Sequence, residues 1–289
     1  MYRVYAVLND FGKELSKNNV SALAASAAFF IFLSLIPILM LISSVIPFTP
    51  ITEADLMNAM STLLPDNISP LAVSMVAEVY GKSPAAISIA AVITVWSAAK
   101  GLLALMRALN AISSVDETRH YLALRLRASI YTIIMLVIIV FFLFVMVFGK
   151  VITGFLVTQF PIGKYVSSFL MKFRFLYVWI ILALLFAVLY TWLPNKRMKF
   201  RLQIPGAIFT SVVWTVFSWG FAIYVEHFNS FGIYGSLTTI IIVMLWLYFC
   251  MYIFMVGAEA NHYFGPVVNY YHHKYINSRR KKLANNEKI

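Results

Sequence analysis

Apolar residues in this chain recur in unbroken stretches rather than in the short alternations of a soluble fold. Six such stretches can be marked: 20–46, 85–110, 128–149, 173–193, 204–225 and 235–261. Each reaches the roughly 20 residues that a helix needs to cross a bilayer. Lipid offers no hydrogen bonds to a free backbone N–H or C=O, so these stretches are predicted to be helices. The expected fold class is all-α, a polytopic membrane bundle of six transmembrane helices. Pro194 follows the fourth stretch and Pro205 opens the fifth, where prolines punctuate helices. Pro37 falls inside the first stretch, and a kink that frees the Leu33 carbonyl is expected there. The expected division is an N-terminal segment, 1–19, a membrane domain, 20–261, and a basic tail, 262–289. The connection 49–83 mixes Leu56, Met60, Leu63 and Leu64 with acidic Glu53, Asp55, Asp66 and Glu78. It reads as one or two short amphipathic helices on the outer surface, the alternative being a partly ordered loop.

Composition agrees with a membrane protein. Only 12% of residues are charged, against about 25% in soluble domains, and the mean hydropathy is +0.84. The net charge of +12 would suggest nucleic acid in a soluble protein, but in a membrane protein it sets orientation. Seventeen of the 23 Lys and Arg fall in 1–19, in the connections 107–127 and 196–201, and beyond 261. Five fall on the other side, four of them in the connection 150–174, which is read as interfacial. Both termini are therefore expected in the cytoplasm. Residues 1–19 are polar, and no signal peptide is expected. Cys250 is the single cysteine and cannot form an internal disulfide.

Lys100 is the remaining cation, in the body of the second stretch. At about 100° per residue it shares a helix face with Trp96, Ala104 and Arg107, with Ser97 beside them. Val95, Ala98, Leu102, Leu105 and Met106 lie opposite. The charged face is expected to point into the bundle and the apolar face toward lipid, because intramembrane charge is costly unless paired or wet. In the sixth stretch Glu259, Tyr252, Tyr248, Leu245 and Ile241 share a face. Aligning cytoplasmic ends puts Glu259 level with Arg107, an expected structural ion pair, and Tyr252 level with Lys100. Two readings of Lys100 stay open. Its amine could snorkel to the cytoplasmic headgroups. Alternatively, since helical side chains lean toward the helix N-terminus, it could contact an anion in a water-filled cavity, with Trp96, Tyr248 and Tyr252 as the other substrate-binding residues. Ser211, Thr215 and Ser218 on the fifth stretch suit helix packing better than ligand binding.

No catalytic residues, metal site or cofactor are expected. Glu259-x-x-His262 has the spacing of half a di-iron site but no second copy follows, and no metallopeptidase, hydrolase or phosphate-loop motif occurs. The tail "NSRRKKLANNEK" is read as an anchor near anionic headgroups, so no nucleic-acid partner is expected.

Several segments in order resemble the YihY/BrkB family of bacterial inner-membrane proteins, also called UPF0761. They are "SALAASAAFFIFLSLIP", "VWSAAKGLLALMRALN", "YTWLPNKRMKFR…PGAIF" and "YGSLTTIIIVMLWLYFCMYIFMVGAEAN", and together they span roughly 20–262. The resemblance implies a six-span cytoplasmic-membrane protein. Members have carried the label ribonuclease BN, widely regarded as a misassignment. One branch is associated with export of a lipid A precursor and another with resistance to serum. The function expected from residues and resemblance together is a transporter or flippase-like exporter of an anionic, lipid-like substrate. The alternatives are a non-transporting envelope-assembly factor and, disfavoured, tRNA processing. Membrane lipids are the expected partners, and self-association is compatible with the pattern.

Overall fold

The computed structural model describes residues 2–45, 84–138, 174–227 and 236–286, and all regular structure among them is helical. The helices are α1 (Tyr2–Lys17), α2 (Val20–Val45), α3 (Pro84–Ile112), α4 (Tyr121–Ile138), α5 (Arg174–Trp192), α6 (Phe200–His227) and α7 (Ser236–Asn286). Four of them contain spans long and apolar enough to cross a membrane: α3, α4, α6 and α7. A fifth arises if α1 and α2, bent by 52° at Asn18 and Asn19, count as one broken span. The apolar part of α5, Trp179–Trp192, is shorter. The expected helices in 49–83, the later part of the third stretch and most of the connection 150–174 lie outside the described residues.

Three boundaries differ from expectation. Residues 2–17 form a helix rather than a plain polar segment, because Leu8, Phe11 and Leu15 recur at helical spacing among its charges. Helix α4 begins at Tyr121, so Arg125 and Arg127 are helical, not loop, residues. Helix α7 runs on through Pro266 to Asn286, so the basic tail continues the sixth stretch as helix. Likewise α2 carries on through Pro37, which does not end it.

The chain divides into two compact units. The first holds residues 1–28, 104–119 and 168–289, hence α1, α5, α6 and α7 with the start of α2 and the end of α3. Helix α6 packs against both α5 and α7, and α1 lies along α7. Asn19 joins α1 to α2 in the left-handed region, at φ 50°, a conformation asparagine tolerates. Its carbonyl accepts the Leu23 N–H at 3.0 Å, so the same residue opens α2.

The second unit holds residues 29–103 and 120–167. Within it Gly101 of α3 meets α2: a Cβ there would sit 3.0 Å from Ser34 Oγ and 3.1 Å from Ile31 Cα. Helix α4 buries Leu124, Ala128, Thr132 and Leu136, one face at four-residue spacing. The hydroxyls of Ser129 and Thr132 bond back to the carbonyls of Arg125 and Ala128, which satisfies them inside their own helix. Large apolar side chains such as Ile93, Val137, Val216, Trp219 and Ile241 stay exposed, as suits helices solvated by lipid.

Candidate functional site

The polar stripe of α3 is real, but its facing is the reverse of the expected one. Trp96 is 42% exposed, and Lys100 and Arg107 are exposed as well. Ala98, Leu105 and Met106, expected toward lipid, are buried, together with Ala99, Leu103, Ala108 and Leu109. Small residues let helices approach, and that packing gain, more than sequestering charge, decides which face turns inward. Lys100 therefore presents its amine on the accessible side of an apolar helix. Trp96 beside it is fixed by Arg125, a residue expected in a loop. Arg125, only 2% exposed, lays its guanidinium 5.1 Å from the Trp96 ring centroid and donates from Nη2 to the Trp96 carbonyl oxygen. This contact ties α4 to α3 within the second unit.

Tyr248, Tyr252 and Glu259 belong to the first unit, on α7. The two tyrosine rings stack at 6.2 Å, and Tyr248 shares a 3.0 Å hydroxyl hydrogen bond with Ser21 of α2. Glu259 is 1% exposed, and Asn18 Nδ2 donates to its Oε2 at 2.9 Å. Arg107, the expected ion-pair partner of Glu259, is exposed, and the hydrogen bond to the carboxylate comes from Asn18. Alignment by depth could not anticipate this, because the turn after α1 delivers Asn18 to the carboxylate. Further along the same seam Tyr263 donates to Asp10 at 2.8 Å, and Phe11 rests edge-on against Tyr263 at 5.6 Å. Among the described residues no three His, Cys, Asp or Glu side chains gather where they could hold a metal ion.

Helices α6 and α7 cross at very close range in the first unit. A Cβ on Gly206 would overlap the Gly257 carbonyl oxygen, and one on Gly257 would overlap Thr210 Oγ1. Only glycine allows the two backbones to meet so closely. Asn261 fastens the crossing with both ends of its amide: Oδ1 accepts the Gly206 N–H at 2.7 Å, and Nδ2 donates to the Gln203 carbonyl at 3.1 Å. Both bonds reach backbone groups in the first turns of α6, one on either side of Pro205. Tyr190 of α5 completes the junction, donating to the Phe254 carbonyl at 2.7 Å and sharing a 2.8 Å hydrogen bond with Thr210 Oγ1. Ser211 and Thr215 bond to carbonyls of their own helix, which agrees with a packing role.

A second polar knot joins the connection after α3 to the one after α5. Asn110 Nδ2 donates to Glu117 Oε2 at 2.8 Å while its Oδ1 accepts the Asn195 N–H at 2.7 Å. Asn195 Nδ2 donates in turn to the Asp116 carbonyl at 2.8 Å and to Thr118 Oγ1 at 3.0 Å. Arg119 Nη2 donates to the Asn195 carbonyl at 2.9 Å, with its Nε 3.8 Å from Glu117.

The family model described as Virulence factor BrkB matches residues 11–281. The chain belongs to the BrkB family. Among its relatives, the putative ribonuclease-like protein YfkH of Bacillus subtilis is 29% identical over 250 residues, 82% of this chain and 87% of that protein. A UPF0761 membrane protein of Haemophilus influenzae is 25% identical over 259 residues, covering 86% of this chain and 91% of the other. A shorter match, 39% over 82 residues, links it to a UPF0761 membrane protein of Pseudoalteromonas translucida, covering 28% of this chain and 27% of that one. No solved structure matches. This BrkB-family chain is a membrane protein with several apolar helices.

The segments that carry the family resemblance have a visible geometry. In "GAEAN" Gly257 is the crossing point, Glu259 meets Asn18 and Asn261 clasps α6. In "ALN" and "LPN" Asn110 and Asn195 form the connection knot. These residues place helices; of the substrate-contact candidates, Lys100 and Trp96 stand on one unit and Tyr248 and Tyr252 on the other.

Proposed function

We propose that this BrkB-family protein is a transporter or flippase-like exporter of an anionic, lipid-like substrate in the bacterial cytoplasmic membrane. The observation that carries the reading is Lys100: exposed, within the apolar span Ala91–Ile112, and flanked by Trp96. A compact ammonium group at that position is a ready contact for a phosphate-bearing headgroup, and the indole is suited to the apolar–polar boundary. The groups already tied into packing, Glu259, Asn261 and Arg125, are poorer candidates for ligand contact. Lipid extracts of a deletion strain are expected to show accumulation of an anionic lipid. Wild-type protein should reverse this, Lys100→Arg should do so in part and Lys100→Met should fail although it is made and folded in normal amounts. Full complementation by Lys100→Met would end the proposal.

Orientation belongs to the same reading. With both termini cytoplasmic, single cysteines in a Cys250→Ala background should react with an impermeant thiol reagent applied outside at Met60→Cys, and not at Thr118→Cys or Arg280→Cys. The opposite pattern would invert the protein. The second reading, an envelope-assembly factor without transport, draws on the helix-placing role of Asn110, Asn195, Glu259 and Asn261. We read the protein as a non-enzyme under either alternative, and after stringent purification it is expected to leave tRNA precursors uncut. Cleavage that vanishes on mutating a residue of this chain would overturn that.

A further inference from the structure

The first unit contains a partly open cavity of about 330 Å³ between α1, α6 and α7. Its lining is nearly all hydrocarbon. Leu8 and Phe11 come from α1, Pro205 and Phe209 from α6, and Val256 and Phe264 from α7. The apolar surface continues outward, since Leu8 is 63%, Phe209 44% and Phe264 39% exposed. Water fills such a groove poorly, because it finds no polar partners there. Gly265 also lines the groove, and a Cβ at that position would meet no atom within 4 Å, so the protein leaves space where a side chain could stand.

Two cations precede the α6 part of this lining. The lining residues of α6, Leu202, Pro205 and Phe209, share one face at helical spacing. Arg201 sits one turn before Pro205 on the flank of that face, and Lys199 lies just ahead of the helix; both are exposed. The arrangement is an apolar slot whose α6 wall begins beside two exposed cations, in a protein with several helices apolar enough to cross a membrane. A peptide helix would need an apolar face several turns long to seat its anchors at i, i+3, i+4 and i+7, more than a cavity of this volume offers. A single acyl chain needs only hydrocarbon walls, and its phosphate needs a cation.

We propose that the α1–α6–α7 groove is a binding site for an anionic phospholipid, one acyl chain lying in the slot and the phosphate held by Lys199 and Arg201. The site is separate from the Lys100 stripe and does not depend on transport. Its occupant would wedge the N-terminal helix against α6 and α7.

The test is native mass spectrometry of the full-length protein released from detergent containing equal amounts of phosphatidylglycerol and phosphatidylethanolamine. The wild type should retain phosphatidylglycerol severalfold over phosphatidylethanolamine. Gly265→Leu, which adds a branched side chain at the slot's lining, should lose the retained lipid. The double variant Lys199→Gln, Arg201→Gln should keep a lipid but lose the headgroup preference. Retention undiminished in Gly265→Leu, or an unchanged preference in the charge variant, overturns the proposal, as does recovery of a copurifying peptide in the groove instead of lipid. Should Gly265→Leu not be recovered folded, the charge variant decides alone, since both of its positions are exposed. The Lys100 variants are expected to retain this lipid, so the outcome here is independent of the transport reading.

Discussion

Gly257→Ala is expected to lower the thermal stability of the detergent-solubilised protein sharply, by about 3 kcal/mol, at the upper end of overpacking costs. One methyl group is enough because three elements converge on the position. The new Cβ would overlap Thr210 Oγ1, stand 2.7 Å from the Tyr190 hydroxyl and 3.0 Å from the Gly206 carbonyl oxygen. Two of these atoms also belong to the hydrogen-bonded junction, so they cannot retreat without breaking bonds from Tyr190 to Thr210 and to Phe254. Thr210→Ala removes the worst overlap. Alone it should cost only about 1 kcal/mol, one hydrogen bond, because Tyr190 keeps the Phe254 carbonyl. Combined with Gly257→Ala it should restore part of the loss, a coupling of more than about 0.5 kcal/mol in a double-mutant cycle. Strict additivity, read from melting followed by size-exclusion chromatography, would mean that the helices relieve the strain by shifting apart and that the close approach is not essential.

That crossing illustrates what can and cannot be read from the chain. The apolar stretches are legible because a bilayer forces every long hydrocarbon run into a helix, whatever its neighbours. Their partners are not legible, because lipid-facing and partner-facing surfaces are equally apolar. On α3 polarity is therefore a poor guide: Lys100 and Arg107 are exposed and Ala98, Leu105 and Met106 are buried. Small residues are the better signal there, and Gly206 and Gly257 point in the same way to the crossing of α6 and α7. Glu259 does need a partner, as its place in an apolar stretch implies, but Asn18 reaches it only through the turn at Asn19, a contact 241 residues apart in sequence. Helix α1 is legible in a stripe that the polar composition of residues 1–19 conceals, since Leu8, Phe11 and Leu15 recur among Asp10, Lys13, Glu14 and Lys17. Tyr190, buried in a stretch that reads simply as apolar, leaves no sequence signal for its hydroxyl's two partners.

Asn110→Asp provides the second large effect. The Asn110 side chain both donates and accepts across the connection knot, to Glu117 at 2.8 Å and from the Asn195 N–H at 2.7 Å. An aspartate in its place would still accept from Asn195, but it would set a second carboxylate against Glu117 where a donor had been. Losing the donor strands a part-buried acceptor, at about 1–3 kcal/mol, and like-charge repulsion at hydrogen-bond distance adds to it. Arg119 relieves this only in part, because its Nη2 is already committed to the Asn195 carbonyl and its Nε lies 3.8 Å from Glu117. A lower melting temperature is expected, together with faster proteolysis within 113–120 and 193–199, the two connections the knot holds. The reversal is the sharper measurement. Adding Glu117→Gln supplies an amide that can donate to the introduced carboxylate, while its carbonyl oxygen can still accept the Arg119 N–H that Glu117 now takes at 3.2 Å. The double variant should therefore be more stable than Asn110→Asp alone, although Glu117→Gln by itself removes the charge opposite Arg119. If the double variant is no better than the single, the Asn110–Glu117 bond does not hold the two connections together, and the Asn195 contacts alone account for the knot.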